Sequence, residues 1–358
     1  MKKIAIMILC AAGLAATVNA QDNKKATLEV PQWVKNIKVS GYGMMQYQAE
    51  DADGKEHNEF NLRLMRLIMD GRIGDFDWRV QGQATSNAGP GNPTFSLVDL
   101  FAEWNKYKEV RIKVGQFKRA FTFENPMNPI NEGWYAYALA VNNLAGFGDR
   151  TGEKSSGGRD IGLQVQGDLL PNSQGRRLLH YQVGIYNGEG INQKDLDNRK
   201  DIIGGLWVAP IEGMRLGIFG WTGSRSAIGA KNRYALSAEY DKDQYTFRAE
   251  YIHSQGWGAN RAYGTKADGW YAMGIVPVIQ SKLHAKARYN VYRATKMWNG
   301  KYDENGQLVG GAKTMYEVGV NYFFTPKLQL NAEYAFVNDR SQAKHNYNFF
   351  DVQLDFRF

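Results

Sequence analysis

The run Phe350-Asp351-Val352-Gln353-Leu354-Asp355-Phe356-Arg357-Phe358 alternates apolar and polar residues without a break. Successive side chains of an extended strand leave opposite faces. Phe350, Val352, Leu354, Phe356 and Phe358 therefore make one greasy face, and Asp351, Gln353, Asp355 and Arg357 one wet face. A strand of a water-soluble sandwich alternates in the same way, yet such domains seldom finish mid-strand on an exposed Phe. A strand with lipid on one side and water on the other is under no such restriction.

Upstream, segments of the same kind follow one another almost without pause. They cover 37–48, 60–73, 76–83, 96–107, 110–118, 159–169, 179–186, 202–209, 214–222, 234–241, 245–254, 269–279, 282–295, 315–324 and 328–337. The phase of the second segment changes near Met65-Arg66, which predicts a bulge. Short turns such as Gly74-Asp75, Lys108-Glu109 and Thr325-Pro326 take turns with longer loops. About sixteen strands result, an even number that brings both ends of the sheet to one rim, as in bacterial outer-membrane barrels. The fold expected is all-β, a transmembrane antiparallel barrel. No 20–50-residue repeat appears, which disfavours a solenoid or propeller.

One connection breaks the rhythm. Between Val110–Lys118 and Arg159–Leu169 lie about forty residues, against the usual four to six of a loop. They carry Phe121, Phe123, Trp134, Tyr135, Tyr137, Phe147 and the apolar run Ala136–Leu144. That is too much apolar surface for a solvated linker, so this third long loop is expected to fold into the lumen and narrow it.

The start of the chain reads differently. Met1-Lys2-Lys3, an apolar core from Ile4 to Val18 and the small-x-small site Val18-Asn19-Ala20 have the anatomy of a signal peptide, too short for a membrane helix. The expected organisation is a signal peptide at 1–20, a polar periplasmic lead at 21–35 and a barrel at 36–358. Cys10, the single cysteine, lies in the leader, so cleavage after Ala20 leaves no thiol for disulfides or metal binding. The net charge of +8 then falls to +6 with the loss of Lys2 and Lys3. Mean hydropathy is −0.49 and aromatics are 13% of the chain. An exported chain that is polar on average yet persistently alternating is what a barrel with a wet interior needs.

The blocks Val114-Gly115-Gln116-Phe117-Lys118, Gly158-Arg159-Asp160-Ile161-Gly162-Leu163-Gln164-Val165-Gln166-Gly167 and Tyr181-Gln182-Val183-Gly184-Ile185-Tyr186-Asn187-Gly188-Glu189-Gly190 resemble the phosphate-selective porin O and P family. The resemblance implies a sixteen-stranded, homotrimeric outer-membrane porin with loops folded into the lumen and a basic constriction.

Candidate pore residues come from the alternation itself. In Lys282–Arg293, Leu283, Ala285, Ala287, Tyr289 and Val291 define the lipid side, which assigns Lys282, His284, Lys286 and Arg288 to the lumen as a stripe with no acid among its own members. Same-face neighbours lie roughly 6.6 Å apart, so an anion could pass from one base to the next. Arg111, Lys113 and Arg119 form a second group; Arg63 and Arg248 are further candidates. Barrel interiors also pair bases with acids as struts, and for Arg248 a structural pair with Glu250 is the preferred reading. Asp99, Glu103, Glu239, Glu317 and Glu333 are likewise expected inside. Trp78, Trp104, Tyr245, Tyr322, Tyr334 and Phe356 read as interfacial girdles.

Enzyme chemistry finds no footing. His57, His180, His253, His284 and His345 are scattered without metal-ligand spacing, adjacent His253-Ser254 point to opposite faces of a strand, and Gly188-Glu189-Gly190 lacks the third glycine of a nucleotide-binding turn. Acids interleaved with the bases disfavour nucleic acid. No cofactor or metal is expected; partners are outer-membrane lipid and small hydrophilic solutes. The function expected is passive diffusion in the outer membrane of a Gram-negative-type cell, with preference for small anions, phosphate among them. The alternative is a channel specific for sugars or other neutral nutrients, its bases structural.

Overall fold

The computed structural model describes residues 37–54, 56–85, 95–145, 147, 157–225, 229–255 and 266–358. The signal peptide and lead expected at 1–20 and 21–35 lie outside the described residues. Lys38–Phe358 form one compact unit. Its strands are β1 (Lys38–Glu50), β2 (His57–Ile73), β3 (Phe76–Ala84), β4 (Phe95–Trp104), β5 (Arg111–Lys118), β6 (Arg159–Pro171), β7 (Arg177–Tyr186), β8 (Asp201–Val208) and β9 (Met214–Arg225). They continue with β10 (Gly229–Lys242), β11 (Tyr245–Gln255), β12 (Lys266–Ile279), β13 (Leu283–Arg293), β14 (Lys301–Tyr302), β15 (Leu308–Val309), β16 (Ala312–Thr325), β17 (Leu328–Asp339) and β18 (Asn346–Arg357). Strands β14 and β15 are a small separate hairpin; the other sixteen close an antiparallel barrel in which β1 pairs with β18.

The alternating pattern has the consequence expected of it. Leu100, Ile112, Val114, Leu163, Val183, Ile185, Leu206, Ile218, Leu236 and Val318 are exposed on the outer wall, while Asp351, Gln353 and Asp355 of β18 are buried on the inner one. Outer aromatics close the seam: a Cβ on Gly43 or Gly41 would stand 2.4 Å from the ring of Phe356 or Phe358. Those glycines let the rings lie flat on the neighbouring strand.

Two local expectations shift. The bulge predicted near Met65-Arg66 falls at Arg63, since Met44 pairs with Leu64 and Met45 with Leu62. Lys282 belongs to an exposed turn before β13, not to the strand. The hairpin turn between β10 and β11 is Asp243-Gln244, both with positive φ (53° and 70°), the twist-compatible geometry of a two-residue hairpin loop.

Candidate functional site

The β5–β6 loop enters the barrel and occupies much of one side of it. Its helix α1 (Leu139–Leu144) packs on β11, β12 and β13. Phe121, Phe123, Trp134, Val141 and Leu144 form a continuous buried cluster with Ile203, Phe219, Trp221, Ile252, Tyr271, Met273 and Ile275 of the barrel wall. A wall that would otherwise meet water is apolar there because the loop covers it.

Polar side chains of the wall pin the loop's backbone. Lys286 Nζ donates to Gly133 O (2.6 Å) and pairs with Glu333 (2.5 Å), and Glu333 accepts from the Tyr135 amide (2.9 Å). Arg288 grips Glu317 through Nε and a terminal nitrogen, both at 2.8 Å, and donates to Ala136 O (2.9 Å). Between these bases lies the Trp134 ring, its centroid 4.8 Å from Lys286 Nζ and 4.4 Å from Arg288 Cζ. Glu250 accepts from the Phe123 amide (2.6 Å), Arg233 donates to Leu144 O (2.7 Å), and the Leu139 amide donates to Asn290 Oδ1 (3.2 Å). Buried amides and carbonyls of an irregular segment need such partners.

The expected pore residues thus divide into groups. Lys286 and Arg288 face inward, but neutralised by acids on β16 and β17, their side chains closed off from solvent. Their strand carries no acid, so the missing information was the neighbour. His284 is buried beside Phe323, with Nε2 3.2 Å from Gln244 Oε1. Lys282 sits over the Tyr322 ring at the rim. Arg119 is fully buried against Asp160 (3.0 Å). Arg248 pairs with Glu239 (2.6 Å), its directly opposed residue on β10, and not with Glu250. Cross-strand partners stand closer than residues two apart on one strand, and Glu250 is engaged by the loop. Arg63 donates to Gln353 Oε1 (3.0 Å) and reaches Trp134 O (3.5 Å).

Arg111 and Lys113 stay partly open to the lumen. Arg111 pairs with Asp168 (2.8 Å) and lies 3.9 Å from Glu103; Lys113 lies 3.4 Å from that same Glu103. His180 Nδ1 is 2.6 Å from Asp168, which as an acceptor fixes the proton on that nitrogen. His180 stacks on Trp207 at 3.7 Å. Next along the wall Arg215 pairs with Glu239 (2.6 Å), the carboxylate that also holds Arg248. The result is a belt from β5 to β11 near the short-turn rim in which Arg111, Lys113, Arg215 and Arg248 share Glu103, Asp168 and Glu239. Sequence reading found Arg111, Lys113 and Arg248 of this belt but missed Arg215, although Met214, Leu216 and Ile218 share the opposite face and so assign Arg215 to the lumen side. A separate Arg79–Asp70 pair (2.7 Å) faces inward from β3 and β2. Among the described residues, Glu189, Asp195 and Asp197 bring carboxylate oxygens within 4.8 Å of one another in the β7–β8 loop, with Asp195 paired to Lys200.

Comparison with known proteins agrees with this architecture. Residues 39–179 match the family described as phosphate-selective porin O and P. No curated protein matches the sequence. Among solved structures, the anion-selective porin from Comamonas acidovorans superposes with a TM-score of 0.66 at 10% identity, covering 90% of this chain and 99% of that one. Salmonella typhi OmpF, in complex with daunomycin, gives 0.68 at 12% identity, with 90% and 98% covered. Pseudomonas putida OprB gives 0.65 at 10%, with 91% and 95% covered. The chain folds as a closed sixteen-stranded barrel of the porin type, and from β1 into β7 it matches the family model described as phosphate-selective porin O and P.

Proposed function

We propose that the protein passes small hydrophilic solutes by diffusion and prefers anions, with the belt at the short-turn rim as its charge filter. The observation that carries this reading is the local imbalance: four bases, Arg111, Lys113, Arg215 and Arg248, share three carboxylates, and Arg111, Lys113 and Arg215 keep part of their side chains open to the lumen. Fixed positive charge lowers the cost for an anion to leave bulk water, and partial neutralisation keeps its exit fast. Phosphate is one such anion; nothing in the belt singles it out. The family resemblance supports a homotrimer, and the basic start, apolar core and small-x-small site of residues 1–20 support export with cleavage after Ala20, followed by a polar lead at 21–35. By strand parity the short turns then face the periplasm.

The test is a reversal potential across a planar bilayer under a KCl gradient. Arg111→Glu combined with Arg215→Glu should move the reversal potential toward that of a cation-preferring pore, while Lys286→Met with Glu333→Gln should leave its sign unchanged. An unaltered reversal potential in the first variant would remove the belt from the mechanism.

A further inference from the structure

The outer wall carries a cluster of charge at the long-loop ends of β12 and β13. Register sets Tyr234, His253, Asp268 and Arg293 side by side in one row on the outward faces of β10 to β13. Asp268 is buried in that row, held by Arg293 through Nε (2.8 Å) and Nη2 (2.7 Å), with Lys296 Nζ 3.6 Å away. The guanidinium lies against two indoles, its Cζ 5.3 Å from the Trp270 ring centre and 5.0 Å from that of Trp298. Its Nη1 has no hydrogen-bond partner among the described residues. Lys266, on the same face of β12 as Asp268 and Trp270, is exposed and pairs with no acid among the described residues. Three bases thus stand around one carboxylate. Below the row, Ala238, Ala249 and Ala272 oppose one another across β10, β11 and β12. With Leu236, Tyr251 and Trp270 along its upper edge, this floor of small side chains makes an apolar depression of about 850 Å³ in the outer wall. Trp270 joins the two features, bordering the depression and touching Arg293.

We propose that this part of the outer wall binds a phosphate-bearing lipid of the adjoining leaflet, its phosphate on Arg293 Nη1, Lys296 and Lys266 and an acyl chain in the depression. An interfacial girdle accounts for Tyr251 and Trp270. It does not account for a row of charge on a lipid-facing wall, where charge is tolerated only near headgroup level. A free phosphate uses the bases and leaves the depression empty, and a zwitterionic headgroup sets its own cation against the bases. A lipid ending in a phosphate uses both halves of the surface, since guanidinium and ammonium groups are matched donors for phosphate oxygens. The site rests on the porin reading, which sets this wall in a bilayer and, by strand parity, the long-loop rim in the outer leaflet.

The test is native mass spectrometry of the refolded protein in detergent, titrated separately with dioleoyl phosphatidate and with dioleoylglycerol, which has the same chains and no phosphate. Phosphatidate should half-saturate at about 25-fold lower concentration, roughly fivefold for each of the two positive charges in excess of Asp268. Lys266→Gln combined with Lys296→Gln should erase most of that difference while leaving the Arg293–Asp268 pair in place. Ala249→Phe, which fills the depression without touching a charge, should weaken both lipids. Lys38→Gln with Lys327→Gln, at the short-turn rim, should change neither. Equal binding of the two lipids by the unaltered protein would overturn the proposal, as would an undiminished phosphatidate preference in the first lysine pair or an equal loss in the second. Displacement of phosphatidate by equimolar inorganic phosphate would also overturn it, because the depression would then add nothing. So would an Ala249→Phe protein of altered subunit number and unaltered lipid binding, which would make this face a contact between copies of the chain. The wild-type series decides even where a variant folds poorly. Absence of conducting steps in KCl would instead strike the porin reading itself, a separate outcome.

Discussion

Lys286 and Glu333 illustrate how a single pair can be misassigned from one strand. Both are closed to water, 2.5 Å apart, and each also bonds the inserted loop. Removing one member of a buried pair leaves the other charge uncompensated, at a cost of about 3–5 kcal/mol, whereas removing both is often close to neutral. Lys286→Met alone should therefore lower the urea midpoint of the refolded barrel well below that of the double variant Lys286→Met with Glu333→Gln. Equal losses in the single and double variants would mean that the pair is not what secures the loop. Trp134 is the complementary apolar case. Buried between Lys286 and Arg288, with its Nε1 3.4 Å from Met273 sulfur, its truncation to Ala removes roughly 3–5 kcal/mol of packing. Single-channel conductance should rise in Trp134→Ala as the loop loosens; an unchanged conductance would show that the loop does not depend on this anchor.

At the level of the strand, the barrel was legible because its outer faces keep period two nearly everywhere, so the number and order of segments followed from spacing alone. The position of the loop was legible in part. It was too apolar to be solvated, but where it docks was also written in the wall: β8, β9 and β12 are apolar on both faces, with Ile203 and Trp207 behind Ile202 and Leu206, Phe219 and Trp221 behind Leu216 and Ile218, and Tyr271 and Met273 behind Trp270 and Ala272. A strand greasy on both faces has protein on both sides or lipid on one and protein on the other. Pairings such as Arg288 with Glu317 and Arg248 with Glu239 were not legible, because they depend on cross-strand register, which one strand's pattern leaves open. Register at the seam invites its own test. Gly43→Leu should push Phe356 off the β1 surface and destabilise closure by about 1–3 kcal/mol, the range of overpacking. The double variant Gly43→Leu with Phe356→Ala should recover part of the loss. The readout is the temperature at which the folded band converts to the unfolded one on a gel; no recovery would mean that the ring is not the obstacle.

Across the whole molecule, the loop and the barrel share one interior. In a barrel whose wall is polar throughout, an inserted loop could be excised to leave a wider hole with the fold intact. Here the loop covers Ile203, Phe219, Trp221, Ile252, Tyr271, Met273 and Ile275. Burying each such side chain contributes about 1.5–3 kcal/mol, so exposing them all to lumen water forfeits on the order of 10 kcal/mol or more, comparable with the net stability of a folded domain. The polar anchors lose their partners at the same stroke: Glu250, Arg233 and Asn290 each hold a backbone group of the loop, and buried groups left without partners add further cost. Replacing residues 121–156 with a short Gly-Ser connection should therefore give a chain that refolds poorly into detergent or bilayers and binds an apolar dye in its barrel. It should not give a robust wide pore. A deletion variant with wild-type unfolding temperature and several-fold higher conductance would show instead that the wall stands without the loop, and that the apolar inner faces of β8, β9 and β12 serve some purpose other than holding it.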